Sequence, residues 1–353
     1  MPQSFFIANG SPIPMTTRYR CLHLSEQLRL LGYETEMVDW WEEAKVDAEM
    51  PLRFDVIVLY RLMMSPALAQ LIAAAQRLGK PVIFDTDDLI FEPDLISAHR
   101  AVKDLSQEDQ ALYAVGVGRY LQTLLACDAV VTSTPVLAEL ARARGKRAFV
   151  HRNSLGIEMQ ALADRLPKSY REEGVVIGYG SGTHTHDVDF LEVADALAYV
   201  LDKYPEVELW LVGPLTISSS LESYGERIRK FPVLDWSGWF ELENKMDIAL
   251  APLELDNIFC RAKSEIKFVE AGVVGVPIVA SEIDPYRDSM THGTDGLLAR
   301  SMQDWIGALS SLIENPELRR EMGVRARATV SQRYSLQARA ADLRLILPEL
   351  GVA

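Results

Sequence analysis

Short apolar runs alternate with amphipathic or alanine-rich segments through the first half of the chain. Such runs predict strands buried on both faces, as in a parallel sheet that is covered by helices. The strands are predicted at 5–8, 56–60, 82–84, 129–132 and 148–150, with helices at 18–31, 66–78, 107–125 and 136–143. This half is therefore predicted to form one Rossmann-like unit.

The same pattern restarts after a polar joint at 166–174. The helix that follows Asp189 has an apolar stripe at helical spacing, which includes Phe190, Val193 and Leu197. Strands are predicted at 175–179, 208–212, 233–234, 248–251, 278–280 and 296–298, and later helices at 304–314, 316–333 and 335–347. We therefore predict an α/β chain of two Rossmann-like domains, 1–168 and 169–333, followed by a tail helix within 334–353. Ligands of such parallel sheets bind beyond the carboxyl ends of strands, in a cleft between the domains.

Composition narrows the class of protein. A chain of 353 residues suits two domains. The formal net charge of −14 disfavours a nucleic-acid partner, since both would be negative. Three cysteines without a CxxC pair favour a reducing compartment and give no metal site. No signal peptide and no apolar stretch of membrane-spanning length is seen in the sequence, so we expect a cytoplasmic protein.

The stretch 259–281 carries the most chemical information. A helix over 263–273 would place Ile266, Val269 and Val273 on a core face and Lys263, Lys267 and Glu270 on the opposite face. Arg261 and Lys263 would then stand at the helix start, where free N–H groups and the helix dipole favour an anion such as a diphosphate. Glu270 would accept hydrogen bonds from a ribose diol. An ordinary surface helix with solvated charges is the alternative.

Several blocks in fixed order resemble glycosyltransferase family 4, also called the group 1 glycosyltransferases, of the GT-B fold. The blocks are 177–187, 211–214, 247–253, 261–281 and 292–298, with thinner likeness at 19–20, 84–89 and 130–133. The resemblance implies two Rossmann-like domains whose parallel sheets face a central cleft, and a C-terminal helix that crosses back to the first domain. It implies transfer of a sugar, with retention of configuration, from a nucleoside diphosphate sugar to an acceptor on the N-terminal domain. Basic side chains usually replace a metal ion in this fold, so no cofactor and no metal are expected.

Two positions depart from the family pattern. The family commonly has two glutamates eight positions apart; Glu270 matches the second, whereas Ala262 stands at the first. The sugar contact must then come from elsewhere, with Asn257, Glu254 and Asp256 as candidates. The usual Arg and Lys pair is also absent from 178–189, where Ser181, Gly182, Thr183, His184 and His186 stand instead.

The candidate site residues fall into three groups. Lys263, Arg261 and Asp87 are predicted to be catalytic. Donor-binding residues are predicted to be Glu270, Ser264, Gly180, Ser181, Gly182, Thr183, His186, Asn257 and Trp236. The acceptor side is predicted to be formed by Asn9, Gly10, Arg20, Arg61 and Asp88. For Trp236 the alternative is simple packing, and for the acidic run 85–88 it is a metal site of the GT-A type.

The resemblance favours a retaining glycosyltransferase that uses a glycan or lipid-linked acceptor in cell-surface polysaccharide synthesis. A GT-B nucleotide-sugar epimerase and a degenerate binding or scaffold module remain alternatives. A dense basic run is explained either by placement near a helix end or by peripheral association with the inner face of a membrane. Its members are Arg142, Arg144, Lys146, Arg147 and Arg152. Nucleobase, sugar, acceptor, linkage and oligomeric state do not follow from the sequence.

Overall fold

The computed structural model describes residues 3–40, 49–103, 105–167, 171, 173–183 and 186–352. The chain divides into two compact units. The first comprises Met1–Ile157, Ala262–Ser264 and Tyr334–Ala353, and the second comprises Glu158–Arg261 and Glu265–Arg333. The predicted boundary after residue 168 lies outside the described residues.

The first unit contains a six-stranded parallel sheet with the order β2-β1-β3-β4-β5-β6. Its strands are β1 (Ser4–Asn9), β2 (Glu34–Asp39), β3 (Val56–Tyr60), β4 (Val82–Thr86), β5 (Ala129–Thr132) and β6 (Ala148–Val150). Every residue of β3 and β4 is buried, as their apolar runs predict. The edge strand β2 is not predicted, because its half-exposed residues include Glu34 and Glu36 and form no apolar run.

Helices lie between these strands along the chain. They are α1 (Pro14–Thr17), α2 (His23–Leu30), α3 (Pro66–Arg77), α4 (Arg100–Lys103), α5 (Gln107–Ala126) and α6 (Pro135–Ala143). Ser65 and Thr134 cap α3 and α6 by accepting hydrogen bonds from backbone N–H groups of the first turn. A turn of π-helix, Arg18–Leu22, joins α1 to α2 and buries Arg20. The predicted helix over 18–31 thus begins earlier and contains this widened turn.

The second unit contains another six-stranded parallel sheet, with the order β12-β11-β10-β7-β8-β9. Its strands are β7 (Val175–Gly180), β8 (Val207–Val212), β9 (Ile228–Phe231), β10 (Ile248–Ala251), β11 (Ile278–Ser281) and β12 (Leu297–Ala299). The strand predicted at 233–234 is wrong. The chain instead pairs with β8 at β9, whose central residues Arg229 and Lys230 are exposed at the sheet edge.

The helices of the second unit cover this sheet. They are α7 (Ile157–Arg165), α8 (Asp187–Lys203), α9 (Ser219–Glu222), α10 (Trp236–Glu243), α11 (Ile258–Ala262), α12 (Ile266–Val273), α13 (Asp284–Arg287), α14 (Met302–Glu314) and α15 (Pro316–Tyr334). The predicted stripe of α8 is buried, with Phe190, Val193 and Leu197 in one apolar core with Ile177 and Leu209 of the sheet. Helix α14 begins with a capping box between Ser301 and Asp304.

The tail helix α16 (Leu336–Ile346) belongs to the first unit. Leu343 and Leu347 lie in the same apolar core as Ile7 of β1 and Leu28 of α2. The return of the C-terminal helix to the first unit, expected from the resemblance, is confirmed. Within the described part of the chain, no helix is long and apolar enough to cross a membrane. All three cysteines are buried and form no disulfide.

Candidate functional site

The predicted helix over 263–273 is wrong at its start. Helix α12 begins at Ile266, and residues 263–265 separate it from α11. The segment 262–264 belongs to the first unit, where Ala262 O accepts from Thr134 Oγ1 at 3.0 Å and Ser264 Oγ accepts from Asn153 Nδ2 at 3.2 Å. An apolar stripe fixes the face of a helix but not its first residue. Lys263 therefore precedes the helix that it was predicted to begin.

Position 262 is buried, and only 1% of Ala262 is exposed. The position of the first family glutamate is thus occupied by a buried methyl group.

Arg261 lies in the last turn of α11 instead of at the start of α12. Its Nε donates to Asp284 Oδ2 at 2.9 Å, and this ion pair holds the pKa of Asp284 below its usual range. Both residues line a cavity of about 330 Å³ that contains none of residues 178–183. Asp256, Glu282, Arg287 and Arg300 also line this cavity. The charge of Arg261 is thus already balanced by a carboxylate.

The glycine-rich turn, residues 180–183, begins at the last residue of β7. The structure places the basic side chain of Lys267 at this turn. Its Nζ donates to Gly180 O at 2.5 Å and lies 4.9 Å from the centroid of the Tyr179 ring. Burial of Tyr179 raises the pKa of its phenol well above the ordinary value. The sequence places Lys267 on the polar face of the helix, but that face alone does not show which turn it contacts.

The glycine-rich turn is anchored on one side and open on the other. Ser181 N donates to Val212 O at 2.8 Å, and a β-carbon at Gly213 would lie 1.9 Å from Ser181 O. Gly213 also has a φ of +88°, a conformation that favours glycine. A β-carbon at Gly182, in contrast, would meet no atom of the described residues within 4 Å. None of the described residues therefore covers the backbone at Gly182 on this side. His184 lies outside the described residues.

Glu270 lies one turn beyond Lys267 on α12 and is only 8% exposed. Its Oε2 accepts a hydrogen bond of 3.2 Å from Trp239 Nε1. The Trp239 ring in turn packs on Gly180, where a β-carbon would lie 2.7 Å from Cη2. Trp236, the predicted stacking residue, packs edge-on against Phe240 at 6.1 Å. Trp239 is thus the indole that the structure brings to the turn, and it was not among the predicted site residues.

Carboxylates occupy the N-terminus of α8, which follows the turn. His186 occupies the N-cap position, and its Nδ1 lies 3.0 Å from Oδ2 of the buried Asp189. Cys260 Sγ donates to Oδ1 of the same carboxylate at 3.2 Å. Asp187 Oδ1 accepts from Thr216 N at 3.2 Å. Two acidic groups therefore offset the positive end of this helix.

Asn257 has a local structural role next to α11. Its Nδ2 donates to Oε2 of the buried Glu254 at 2.9 Å, and its Oδ1 accepts from Phe259 N at 3.0 Å. The pair orders the loop between β10 and α11. That loop follows the carboxyl end of β10, the edge at which the glycine-rich turn follows β7.

The first unit has a second polar cluster, at the ends of β3 and β4. Arg61 has a φ of +47°, which makes it the one non-glycine residue with positive φ in the described part of the chain. Its Nε donates to Asp87 Oδ1 at 2.8 Å, and Tyr60 OH donates to the same oxygen at 2.8 Å. Asp88 is more exposed and lies 3.6 Å from the Arg61 guanidinium. A strained backbone that is held by partly buried charges is typical of functional loops.

Arg20 lies inside the first unit, only 3% exposed, and not at a surface. It forms a bidentate ion pair with Asp85, at 2.9 Å for Nε and 2.6 Å for Nη2. Its Nη1 donates to His151 O at 2.6 Å. The turn of π-helix that contains Arg20 aims it inward, a geometry that a regular 3.6-residue period does not predict. The position of Arg20 is thus explained by an internal ion pair.

Asn9 and Gly10 also have contacts that account for their positions. Asn9 is buried, and its Nδ2 donates to Asp39 Oδ1 at 2.7 Å and to Ser11 O at 2.9 Å. A β-carbon at Gly10 would lie 2.3 Å from Arg61 O. Gly10 therefore allows the loop after β1 to approach the strained residue after β3.

The acidic run 85–88 does not gather into a metal site in the structure. Asp85 faces Arg20, and Asp87 faces Arg61. Among the described residues, no group of three or more His, Cys, Asp or Glu side chains is arranged to hold a metal ion.

Four members of the basic run, which begins in the last turn of α6, are bonded within the first unit. Arg142 donates to Ala148 O, Lys146 donates to Leu125 O and Cys127 O, and Arg147 donates to Glu349 O. Arg144 pairs with Glu92 at 2.6 Å and with Asp94 at 2.7 Å. These bonds agree with the interpretation that the run lies near a helix end.

Comparisons with known proteins agree with this architecture. Residues 195–344 match a family model described as glycosyl transferase-like. HepE from Anabaena, solved in complex with UDP and glucose, superposes with a TM-score of 0.65 at 16% identity, covering 98% of this chain and 100% of that chain. The chain has the GT-B fold. No curated protein sequence matches it.

Two further solved structures have the same architecture. A glycosyltransferase from Rickettsia africae superposes with a TM-score of 0.66 at 11% identity, covering 99% of this chain and 98% of that chain. A putative UDP-N-acetylglucosamine 2-epimerase from Listeria monocytogenes superposes with a TM-score of 0.56 at 14% identity, covering 99% and 96%. At such identities the likeness establishes the fold, and one fold hosts more than one activity.

Proposed function

We propose that this chain is a glycosyltransferase that takes a sugar from a nucleoside diphosphate donor. The observation that carries the proposal is the site of the second unit, where a turn open at Gly182 lies beside Glu270 and Trp239. An open glycine-rich turn suits a phosphate, a buried carboxylate suits a ribose diol, and an indole suits a base or sugar ring. The glycosyl transferase-like match covers most of the unit that holds these residues.

In the proposed reaction the bond from the anomeric carbon to the diphosphate oxygen breaks. A bond from that carbon to an acceptor hydroxyl oxygen forms, and the hydroxyl proton is released. Positive charge beside the departing diphosphate lowers the barrier, because negative charge grows there in the transition state. We propose retention of anomeric configuration and a glycan or lipid-linked acceptor, as the resemblance to family 4 implies.

The acceptor is proposed to bind at the cluster of the first unit that contains Arg61, Asp87 and Asp88. Support comes from the strained φ of Arg61 and from the exposed carboxylate of Asp88, which is 46% accessible. Sugar hydroxyls suit such a mixture of carboxylate acceptors and guanidinium donors. We also propose that no metal takes part, since Asp85 and Asp87 are each paired with an arginine.

A thermal-shift screen of UDP-, GDP- and dTDP-sugars tests the donor first. A donor at about a hundred times its dissociation constant should stabilise the protein by roughly 2.7 kcal/mol. Incubation of that donor with candidate acceptors, with and without EDTA, then tests transfer, and NMR of the product reports the anomeric configuration. Lys263→Ala should lower the rate by orders of magnitude if the sequence prediction for Lys263 is right.

The same experiment separates two other functions. The fold is shared with a putative UDP-N-acetylglucosamine 2-epimerase, so conversion of the donor sugar without any acceptor would favour an epimerase. Binding of a nucleotide sugar without hydrolysis, transfer or epimerisation would favour a scaffold, which the alanine at 262 permits. If the protein binds no nucleotide sugar at all, the proposed function is wrong.

A further inference from the structure

We infer that Lys267 supplies the positive charge that holds the donor diphosphate, a role that the sequence assigns to Lys263 and Arg261. The inference rests on the proposed function and names the residue on which its leaving-group site depends. It begins from the contact between Lys267 Nζ and Gly180 O, at 2.5 Å. The first residue of the glycine-rich turn and a cation are thereby held together.

The position of the Lys267 ammonium is fixed from two sides. Its hydrogen bond to Gly180 O ties it to the end of β7, and the face of the Tyr179 ring lies 4.9 Å away. A cation over an aromatic face is attracted by the ring quadrupole. Tyr179 is fully buried and cannot move without disturbing the core around Phe190. The charge is thus preorganised before any ligand arrives, which is what stabilisation of a leaving group needs.

Two other sources of positive charge, the start of α8 and Arg261, are each opposed by carboxylates. The start of α8 carries Asp187 and Asp189, whose carboxylates oppose the helix dipole. Arg261 is paired with Asp284 and lines a different part of the surface. In a chain with a net charge of −14, a diphosphate at this turn requires a local cation. Lys267 provides such a cation, since its Nζ contacts Gly180 O.

The spacing between Lys267 and Glu270 fits one nucleotide. Residues three apart on a helix lie on the same face, one turn from each other. Lys267 contacts Gly180 directly, and Glu270 is linked to the same residue through Trp239, whose ring packs on Gly180. A diphosphate beside Lys267 and a ribose beside Glu270 follow the order of groups in a nucleoside diphosphate.

The experiment compares full-length variants by isothermal titration with UDP, GDP and dTDP and with the matching nucleosides. Lys267→Gln removes the charge but keeps a donor for Gly180 O, Lys267→Met removes both, and Lys267→Arg keeps the charge. Lys230→Gln, at the exposed edge strand β9, is the matched control. Loss of a charge-assisted hydrogen bond should weaken diphosphate binding about 10- to 100-fold and leave nucleoside binding within about twofold. Lys267→Arg should restore most of the diphosphate affinity.

Three outcomes would overturn the inference. If Lys267→Gln and Lys267→Met bind the diphosphate as the wild type does, the charge lies elsewhere while the proposed function stands. If nucleoside and diphosphate affinities fall equally, Lys267 only supports the turn. If Lys263→Gln gives the selective loss instead, the sequence prediction is right. A wild-type protein that binds none of the three diphosphates contradicts the proposed function itself.

Discussion

The indole Nε1 of Trp239 donates a hydrogen bond of 3.2 Å to the Oε2 carboxylate oxygen of Glu270. This bond joins α10 to α12 at the turn after β7, because the Trp239 ring also packs on Gly180. Glu270 is the family residue that the sequence matches, whereas Trp239 is the residue that fixes its orientation. A carboxylate whose rotamer is locked in this way can present its other oxygen to a ribose at low entropic cost.

Trp239→Phe should therefore weaken the recognition of ribose. Phenylalanine keeps an aromatic ring beside Gly180 but donates no hydrogen bond, so the Glu270 carboxylate gains rotational freedom. We expect the preference for a ribonucleoside diphosphate over its 2′-deoxy form to fall about threefold to tenfold. Titration of both ligands measures the ratio. Trp236→Phe is the control, since Trp236 packs on Phe240, and an equal loss in both variants would contradict a specific role for Trp239.

Alanine substitutions at Gly180 and Gly182 should have opposite effects. A β-carbon at Gly180 would lie 2.7 Å from the Trp239 ring, so Gly180→Ala should destabilise the protein by about 1–3 kcal/mol. A β-carbon at Gly182 meets no atom of the described residues within 4 Å, so Gly182→Ala should leave the free energy of unfolding unchanged.

The same substitution at Gly182 should nevertheless weaken nucleoside diphosphate binding at least tenfold, because the methyl group occupies the open side of the turn. Urea unfolding and titration calorimetry measure the two effects. Unchanged affinity in Gly182→Ala would show that the ligand does not approach the turn from this side.

The strained backbone at Arg61 gives a prediction with an internal control. Arg61→Ala and Arg61→Gly both lose the ion pair with Asp87, but only alanine must still adopt a φ near +47°. We expect the glycine variant to be more stable than the alanine variant by about 1 kcal/mol, since the left-handed region costs other residues roughly that much. Urea unfolding midpoints of the two variants measure the difference. Equal stability would mean that the loop relaxes once the guanidinium is removed.

The sequence predicts the fold well where apolar runs are buried on both faces, as in β3 and β4. It fails at the sheet edges β2 and β9, because one face of an edge strand is solvated and its residues are polar. Helix starts are also poorly predicted. The break at 263–265 depends on bonds from Asn153 and Thr134, which are distant in the sequence.

In the candidate site, too, local motifs are predicted from the sequence, whereas contacts between separate elements are not. Glu270 is predicted from a motif, but the contacts of Trp239 and Lys267 with Gly180 depend on how α10 and α12 pack at the end of β7. Arg20 is predicted at the acceptor side because it follows the first strand, and the loops after the strands of a parallel sheet line the cleft. Its partner Asp85 lies on another strand, so the buried ion pair could not be read from local pattern.

Two buried histidines of the first unit should make its stability depend on pH. Burial lowers the pKa of His23 to about 3 and that of His151 well below the ordinary value. Burial keeps the His23 ring neutral although its Nδ1 lies 2.8 Å from Ser154 O, a contact that by itself raises the pKa. For His151, whose Nε2 lies 2.8 Å from Gln27 Oε1, the positive charges of Arg20 and Arg339 add to the effect of burial. In the unfolded chain both would titrate near pH 6.5.

The stabilising contribution of each neutral ring is therefore fully present above pH 6.5 and is lost as the pH falls below it, because only the unfolded chain takes up the proton there. Each histidine should lower the free energy of unfolding by about 2 kcal/mol between pH 7 and pH 5. Urea unfolding at both pH values should show a smaller decrease for His23→Gln than for the wild type. Leu28→Ala destabilises the apolar core of the first unit without removing a titrating group. The free energy of unfolding of this variant should therefore decrease between pH 7 and pH 5 as much as that of the wild type. A His23→Gln variant whose stability falls as much as that of Leu28→Ala would contradict the assignment of this pH dependence to His23.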